Sequence, residues 1–403
     1  MTAAVVLQGG QLRAATASPQ DFAKVEHGRY LAAVADCAAC HTDAHEAPFA
    51  GGKAIETPFG EVLAANITPD PETGIGTWTE RQFDAAVRQG LLPDGERLYP
   101  AMPYPYYTKL SESDVRDILA YLRTLPPVRH AVRTNQLPFP YNIRTSMRVW
   151  NWLYFEPGSF KADPGRSAGW NRGAYLVLGP GHCAACHTPK TQLGGDEKGQ
   201  PLQGYSLQGW FAPNITNDAD RGLGAWSIAD IVEYLRSGHN RFAGAAGPMA
   251  DEVRHSNSEM KQADLEAIAE YLKGQPGQTA TLHALAVSDP RMKAGSAIYK
   301  DLCAACHRED GHGVPYLIPD LASSAAVASR EPTSVLRVIL QGAQTVGTRD
   351  EPTAPAMPGF GWQLTDAQIA AVSSYVRNSW GHAASATSPG EVGDARKHLQ
   401  AAR

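Results

Sequence analysis

Three five-residue segments of the chain are identical: Cys37-Ala38-Ala39-Cys40-His41, Cys183-Ala184-Ala185-Cys186-His187 and Cys303-Ala304-Ala305-Cys306-His307. They hold all six cysteines of the 403-residue sequence. Two thiols three positions apart, followed directly by an imidazole, form the C-x-x-C-H spacing at which c-type haem is attached. The thiols add across the two haem vinyl groups as thioethers, and the adjoining histidine meets the iron as its proximal ligand. Other chemistries fit less well. Zinc needs four nitrogen or sulfur ligands closed into a tetrahedron. A thioredoxin-like dithiol needs a βαβ setting, and cysteines paired this closely in three identical units suit a general disulfide framework poorly. The reading is three covalently bound haems c, held by Cys37 and Cys40, Cys183 and Cys186, and Cys303 and Cys306, and therefore one-electron traffic.

An iron held by one histidine has a sixth position to fill, and a thioether there stabilises the reduced state. Each unit offers a methionine beside proline: Met102 in Tyr99-Pro100-Ala101-Met102-Pro103, Met249 in Gly247-Pro248-Met249, and Met357 in Pro355-Ala356-Met357-Pro358. They follow the proximal histidines by 61, 62 and 50 residues. Met260 lies farther on, at the edge of a later helix, Met147 falls in a linker, and Met1 and Met292 precede their motifs. The predicted metal ligands are His41 with Met102, His187 with Met249, and His307 with Met357. Six-coordinate irons of this kind suit outer-sphere electron transfer and not substrate chemistry. His182 and His312 read as surface or haem-edge residues. The carbonyl of Pro319 is the expected acceptor for the His307 ring N–H. No Ser/His/Asp set, phosphate-binding glycine loop or nicotinamide fingerprint is present; GIGTW and GLGAW lack the strand–turn–helix context such a loop requires.

These motifs recur with the elements around them. NITPDPETGIGTWTERQFDAAVRQG (66–90) and NITNDADRGLGAWSIADIVEYLRSG (214–238) are offset by 148 residues, and Cys37 and Cys183 by 146, the mark of duplicated units. A third, more distant unit begins near Lys293. In each, a helix leads into the haem motif: Val25 to Ala35, Asn171 to Leu178, Lys293 to Leu302. A second helix follows a Gly/Pro-rich stretch (Thr79 to Arg88, Ser227 to Ser237, Thr333 to Leu340), with apolar residues at the 3.6-residue period and Gly90, Gly238 and Gly342 as C-terminal caps. A last helix closes the unit (Ser111 to Thr124, Lys261 to Lys273, Thr365 to Ser379), and its tyrosine (Tyr121, Tyr271, Tyr375) is expected on the first helix. The aromatic run Val149-Trp150-Asn151-Trp152-Leu153-Tyr154-Phe155 is expected to pack between units, with a partner-docking patch as the alternative.

The organisation predicted is a signal remnant or disordered arm (1–20), a first haem unit (21–130), a linker (131–165), a second unit (166–275), a third (286–381) and a disordered tail (382–403). Ala15-Thr16-Ala17 resembles a small-residue cleavage site. No stretch reaches the length of a membrane-spanning helix. The net charge of -5, from 36 basic and 41 acidic residues, gives no reason to expect nucleic-acid binding. Thioether attachment of haem takes place on the outer face of the bacterial inner membrane, so the chain is expected in the periplasm.

The chain resembles the triheme cytochrome c subunits of bacterial membrane-associated dehydrogenases, either quinoprotein alcohol dehydrogenases or flavin-dependent gluconate, fructose, sorbitol and glucose dehydrogenases. The resemblance covers nearly all of Gly28 to Gly381. It is carried by Gly28-Arg29-Tyr30-Leu31, PFAGG (48–52), NITPDPETGIGTW (66–78), LYPAMPY (98–104), Trp150-Asn151-Trp152-Leu153, Trp170 to Leu176, and Ala246-Gly247-Pro248-Met249-Ala250. It implies a mainly α fold of three tandem class I-like cytochrome c domains, each a few helices around one covalently bound haem. It also implies a subunit that is not itself the enzyme. Such a subunit passes electrons from a catalytic partner carrying PQQ or FAD to ubiquinone, on the periplasmic face of the inner membrane. A peroxidase-like multihaem enzyme with an open haem site is the alternative. Relatives often carry an apolar or amphipathic C-terminal segment, whereas Gly381 to Arg403 is polar here.

Overall fold

The structure, a computed structural model, describes residues 19–277 and 284–401. The expected arm at 1–20 lies almost wholly outside these residues. The chain folds as three helical units, each with one short two-stranded pair; the order of parts is the same in the first two units, and in the third the strand pair follows the second helix.

In unit 1, helix α1 (Pro19–Val34) leads into the haem-motif helix α2 (Cys37–His41), followed by hairpin β1 (Ala54–Thr57) and β2 (Gly60–Leu63). Helices α3 (Glu80–Gln89), α4 (Tyr104–Tyr107) and α5 (Glu112–Leu122) complete it. The linker holds α6 (Met147–Tyr154). Unit 2 repeats the plan with α7 (Ala168–Leu178), α8 (Ala184–His187), hairpin β3 (Tyr205–Leu207) and β4 (Trp210–Ala212), α9 (Ile228–Ser237), α10 (Pro248–His255) and α11 (Gln262–Lys273). Unit 3 has α12 (Pro290–Leu302), α13 (Ala304–His307), α14 (Thr333–Gln341), β5 (Gly342–Gln344) paired with β6 (Ala356–Pro358), α15 (Asp366–Val376) and α16 (Pro389–Ala401).

The first and last helices of each haem unit cross at a glycine. A Cβ on Gly28 would lie 1.8 Å from the carbonyl oxygen of Asp117, one on Gly173 would lie 1.9 Å from that of Ala267, and one on Gly295 2.2 Å from that of Ala371. Only hydrogen fits there, so the backbones of α1 and α5, α7 and α11, and α12 and α15 approach directly. The apolar face of each pair closes on its own core. In unit 1 Leu31, Leu110, Leu119 and Leu122 are fully buried, each contributing about 1.5–3 kcal/mol.

Local chemistry sets the ends of the second helices. Thr79 and Gln82 form a reciprocal capping box on α3, and Ser227 and Asp230 do so on α9. Gly90 and Gly238 close those helices at positive φ, as expected. Of the three shared tyrosines, Tyr271 packs its ring 5.0 Å from Trp170 on α7 and Tyr375 lies 5.4 Å from Tyr299 on α12. Tyr121 differs: its ring partner is Phe49, at 6.2 Å.

Units 1 and 2 are joined reciprocally. Tyr30 of α1 donates to Asp264 at the start of α11, and Tyr175 of α7 donates to Asp114 at the start of α5. Arg172 clamps Asp264 with two bonds of 2.8 and 2.7 Å. The two units therefore face each other about a pseudo-two-fold axis, each giving the other the same kind of contact. Unit 2 also holds unit 3: the Ser334 hydroxyl and the Phe211 backbone exchange bonds of 2.8 and 3.1 Å, Val346 N–H donates to Ala245, and the His239 ring meets the Thr345 hydroxyl at 2.7 Å.

One further expectation needs correction. The tail after residue 381 is not structureless, since Val392 and Leu399 of α16 are buried against α14 and α15. Arg396 anchors it through Asp366 and the carbonyls of Gly361 and Leu364. Its low overall hydrophobicity hid the few apolar positions that matter. The aromatic run in α6 packs between units, as expected. Trp150 is buried, lies 6.5 Å from the Tyr104 ring of unit 1, and donates to the Leu193 carbonyl of unit 2. Trp152, on the other face, is 83% exposed.

Candidate haem-attachment sites

The three motifs fold alike because each caps the helix before it with one short turn. In α2, α8 and α13 the backbone keeps both thiols and the imidazole on a single helical turn. The i, i+3 spacing of the two cysteines places them on one face, as double attachment to a flat macrocycle requires. None of the six cysteines is in a disulfide. Burial pushes the Cys37, Cys183 and Cys186 thiols up to about 12 and Cys40 and Cys303 up to about 11. Such thiols are poor thiolate ligands or nucleophiles at neutral pH. Among the described residues no three His, Cys, Asp or Glu side chains converge to hold a metal ion.

Two of the three imidazoles are held by backbone carbonyls. His41 Nδ1 lies 2.7 Å from the carbonyl of Ala65, and His187 Nδ1 lies 2.6 Å from that of Pro213. Each bond fixes the ring's orientation through Nδ1, the arrangement common among metal-ligating histidines. Burial lowers the pKa of His41, His187 and His307, favouring the neutral ring that a metal needs. His307 is less firmly held. Its Nδ1 is buried without a hydrogen-bond partner. The Pro319 carbonyl is near enough to raise the ring's basicity but falls outside hydrogen-bonding geometry.

The NIT repeats explain the orienting carbonyls. Asn66 accepts from the backbone and hydroxyl of Thr68, at 2.9 and 2.7 Å, and Asn214 accepts from Thr216 in the same way, both at 2.8 Å. These Asx turns hold the preceding residues, Ala65 and Pro213, against the histidines. In unit 3 the corresponding position is Asp320, beside Pro319. Sequence reasoning named Pro319 but missed Ala65 and Pro213, although the repeat pointed to both.

The methionines enter three different local structures. Met102 lies in the turn before α4 and packs on the core of unit 1. Met249 is in the first turn of α10, against Ala245, Ala250, Val253 and Val346. Met357 lies on β6, paired in register with Ala343. Met260, by contrast, is buried in the core of unit 2. Two residues outside the motifs complete the first two sites: Lys53 Nζ donates to the Ala39 carbonyl and Lys190 Nζ to that of Ala184, each at 2.7 Å. No sequence signal marked these lysines. His182 packs edge-on to Tyr107, with ring centroids 5.8 Å apart, and His312 lies 3.2 Å from the Asp320 carboxylate.

Comparison with known proteins agrees with this geometry. The cytochrome c family model matches residues 25–126, 172–276 and 292–380. The chain belongs to the cytochrome c family. Cytochrome c domains hold haem c covalently, and the paired buried thiols with an oriented neutral imidazole fit that group. This cytochrome is 38% identical to the gluconate 2-dehydrogenase cytochrome c subunit of Pantoea cypripedii, over 91% of this chain and 87% of that one. It is 37% identical to the cytochrome c subunit of the quinone alcohol dehydrogenase of Gluconobacter oxydans (96% and 85% covered). To the fructose dehydrogenase cytochrome subunit of Gluconobacter japonicus it is 36% identical (98% and 88% covered).

Proposed function

We propose that this cytochrome is the triheme electron-transfer subunit of a bacterial dehydrogenase complex. In this reading a catalytic subunit carrying PQQ or FAD oxidises an alcohol, sugar or sugar acid, and its electrons reach membrane ubiquinone through this chain. The observation that carries the reading is the threefold Cys-x-x-Cys-His turn with a buried imidazole, seated in a chain similar along most of its length to dehydrogenase cytochrome subunits.

Bound haem c supplies the one-electron Fe(III)/Fe(II) couple. The chain's residues do the rest. Cys37 and Cys40, Cys183 and Cys186, and Cys303 and Cys306 tether the groups. His41, His187 and His307 would supply nitrogen ligands to the haem iron, and Met102, Met249 and Met357 thioether ligands. Ala65 and Pro213 aim the first two imidazoles. Unit 2 makes hydrogen bonds to both unit 1 and unit 3. The protein works in the periplasm, on the membrane surface; among the described residues no helix is long and apolar enough to cross a bilayer.

The test is purification of the native complex with a haem count. Three haems per chain, co-purification with a PQQ or FAD dehydrogenase, and ubiquinone reduction on adding its substrate are expected. Fewer than three haems, or a chain that travels alone, would overturn the proposal. A peroxidase-like enzyme is the second reading. It draws on the unpartnered His307 ring and the exposed Cys306. Strong CO binding by the reduced native protein would favour it.

A further inference from the structure

Helix α6 is held on one face and bare on the other. Its inner face lies across units 1 and 2: Trp150 donates to the Leu193 carbonyl at 2.8 Å, and Asn151 accepts a 2.5 Å bond from the Tyr104 hydroxyl. Its outer face carries Val149, Trp152 and Leu153, which are 60%, 83% and 43% exposed. Their i, i+3, i+4 spacing makes them neighbours on the helix surface. The segment just before the helix adds Phe139, Tyr141 and Ile143, all exposed. This segment and the helix stand on common ground. The Tyr141 ring is 4.9 Å from that of Phe59, a Cβ on Gly194 would lie 3.0 Å from the same Phe59 ring, and Leu193, half exposed, receives the Trp150 bond. Exposed apolar side chains scattered singly mean little, but six within 139–153 mark a surface that is covered in use.

We propose that this face is a seat on an anionic phospholipid surface, with Val149, Trp152 and Leu153 entering the headgroup boundary and Arg133 and Arg148 meeting lipid phosphate. The inference rests on the reading above of a cytochrome that works at the membrane, and it names the part of the chain that touches lipid.

Charge identifies the occupant. From Ile118 to Phe155 the chain has five arginines and no aspartate or glutamate. Taking these five from the 36 basic residues of the chain leaves 31 against 41 acidic ones, so the stretch is basic on an otherwise acidic protein. Arg129 is paired with Glu72 and Arg144 with Glu96. Arg133 and Arg148 are exposed and have no carboxylate partner among the described residues. Arg148 lies one helical turn before Trp152, so uncompensated positive charge borders the apolar face. Aromatic rings flanked by arginine suit the boundary between water and hydrocarbon, where the ring is half buried and the guanidinium stays with the headgroups. An anionic leaflet attracts the same charge.

The fold prepares the face in advance. An eight-residue helix is too short to be stable alone, but α6 is already ordered by its inner contacts, so little is lost in ordering it on a membrane. The C-terminal helix does not compete for this role, because α16 spends Val392 and Leu399 on the core of its own unit. Since α6 rests on Tyr104, two residues past Met102, and on the loop at Leu193, the seat turns the junction of units 1 and 2 toward the bilayer.

The experiment is flotation of the full cytochrome with vesicles of phosphatidylcholine alone and of phosphatidylcholine mixed with phosphatidylglycerol, at low and high salt. The parent floats with the mixed vesicles and less with the neutral ones, and salt weakens the binding. Trp152→Ser lowers the affinity by about tenfold or more, and Arg148→Glu weakens binding to the mixed vesicles only. Both side chains are exposed, so neither change disturbs a core, and thermal melting checks this. Trp362→Ser, at a tryptophan 85% exposed in unit 3, is the control and floats as the parent does. A parent that binds neither composition, or both equally, would overturn the proposal. So would Trp152→Ser floating like the parent, or Trp362→Ser losing as much. Loss of co-purification with the dehydrogenase in Trp152→Ser, with flotation intact, would give the face to the catalytic subunit and overturn it too. Three haems per chain and an unaltered reduced spectrum in every variant separate these outcomes from failure of the electron-transfer reading.

Discussion

The Tyr30 hydroxyl donates a 2.5 Å hydrogen bond to the carboxylate of Asp264, 234 residues away in the chain. The same carboxylate is clamped by Arg172 and is only 11% exposed at the side chain. Together with the reciprocal bond from Tyr175 to Asp114, it makes the first two haem domains one body.

Tyr30→Phe removes one bond to a charged acceptor and is expected to cost about 1.5–3 kcal/mol, read as a lower midpoint in denaturant unfolding. Asp264→Ala is expected to cost more, because it strands both the Tyr30 hydroxyl and the Arg172 guanidinium. A variant at either position with parent-like stability would mean that the domains are joined by other contacts.

Acid should loosen the same junction. Burial opposes ionisation of Asp264, but the bonds from Arg172 and Tyr30 outweigh it and hold the carboxyl below its ordinary value. A carboxyl depressed on folding adds stability above its unfolded pKa, near 3.9, and that stability disappears as pH falls through the lower folded value. Unfolding measured from pH 7 downward should show the stability difference between parent and Asp264→Asn shrinking only below about pH 4. A difference that does not change down to pH 2 would refute this assignment.

Gly173→Ala should be disproportionately damaging for so small a change. Its methyl would stand 1.9 Å from the Ala267 carbonyl oxygen, so helices Ala168–Leu178 and Gln262–Lys273 must part. Overpacking of this kind costs about 1–3 kcal/mol. Gly199, where an added methyl would meet nothing within 4 Å, is the control: alanine there should leave the melting temperature essentially unaltered.

Helix Pro389–Ala401 is expected to be part of the third domain's stability. Leu399 is 4% exposed, and Leu399→Ala should cost about 2–5 kcal/mol in the transition belonging to that domain. Removal of residues 382–403 without effect on that transition would show that the helix does not hold the domain together.

Replacing both Cys183 and Cys186 by alanine should reduce covalent haem from three per chain to two, measured by the mass of the mature polypeptide. Met102→Ala should leave the count at three, but lower one midpoint potential and create a CO-binding site, because a thioether opposite histidine favours ferrous iron. Unchanged CO binding would remove Met102 from the ligand set.

Much of this was legible in the chain because it is written locally. A thiol pair and an imidazole within five residues, a helix period, a capping threonine or a terminal glycine are each properties of neighbours in sequence. Duplication repeated them at nearly constant offset in the first two units, and the third copy of the motif marked the third unit. The carbonyls of Ala65 and Pro213 are 24 and 26 residues from their histidines, and the only trace they leave in the sequence is the Asn-Ile-Thr repeat that follows each. The helix at 389–401 went unread because a few buried side chains in a polar stretch look like solvent-facing sequence. Tyr30 with Asp264, and Tyr175 with Asp114, lay beyond any sequence pattern. Their pairing depends on how whole domains dock, and docking is decided by complementary surfaces that assemble only once each domain has closed its own core.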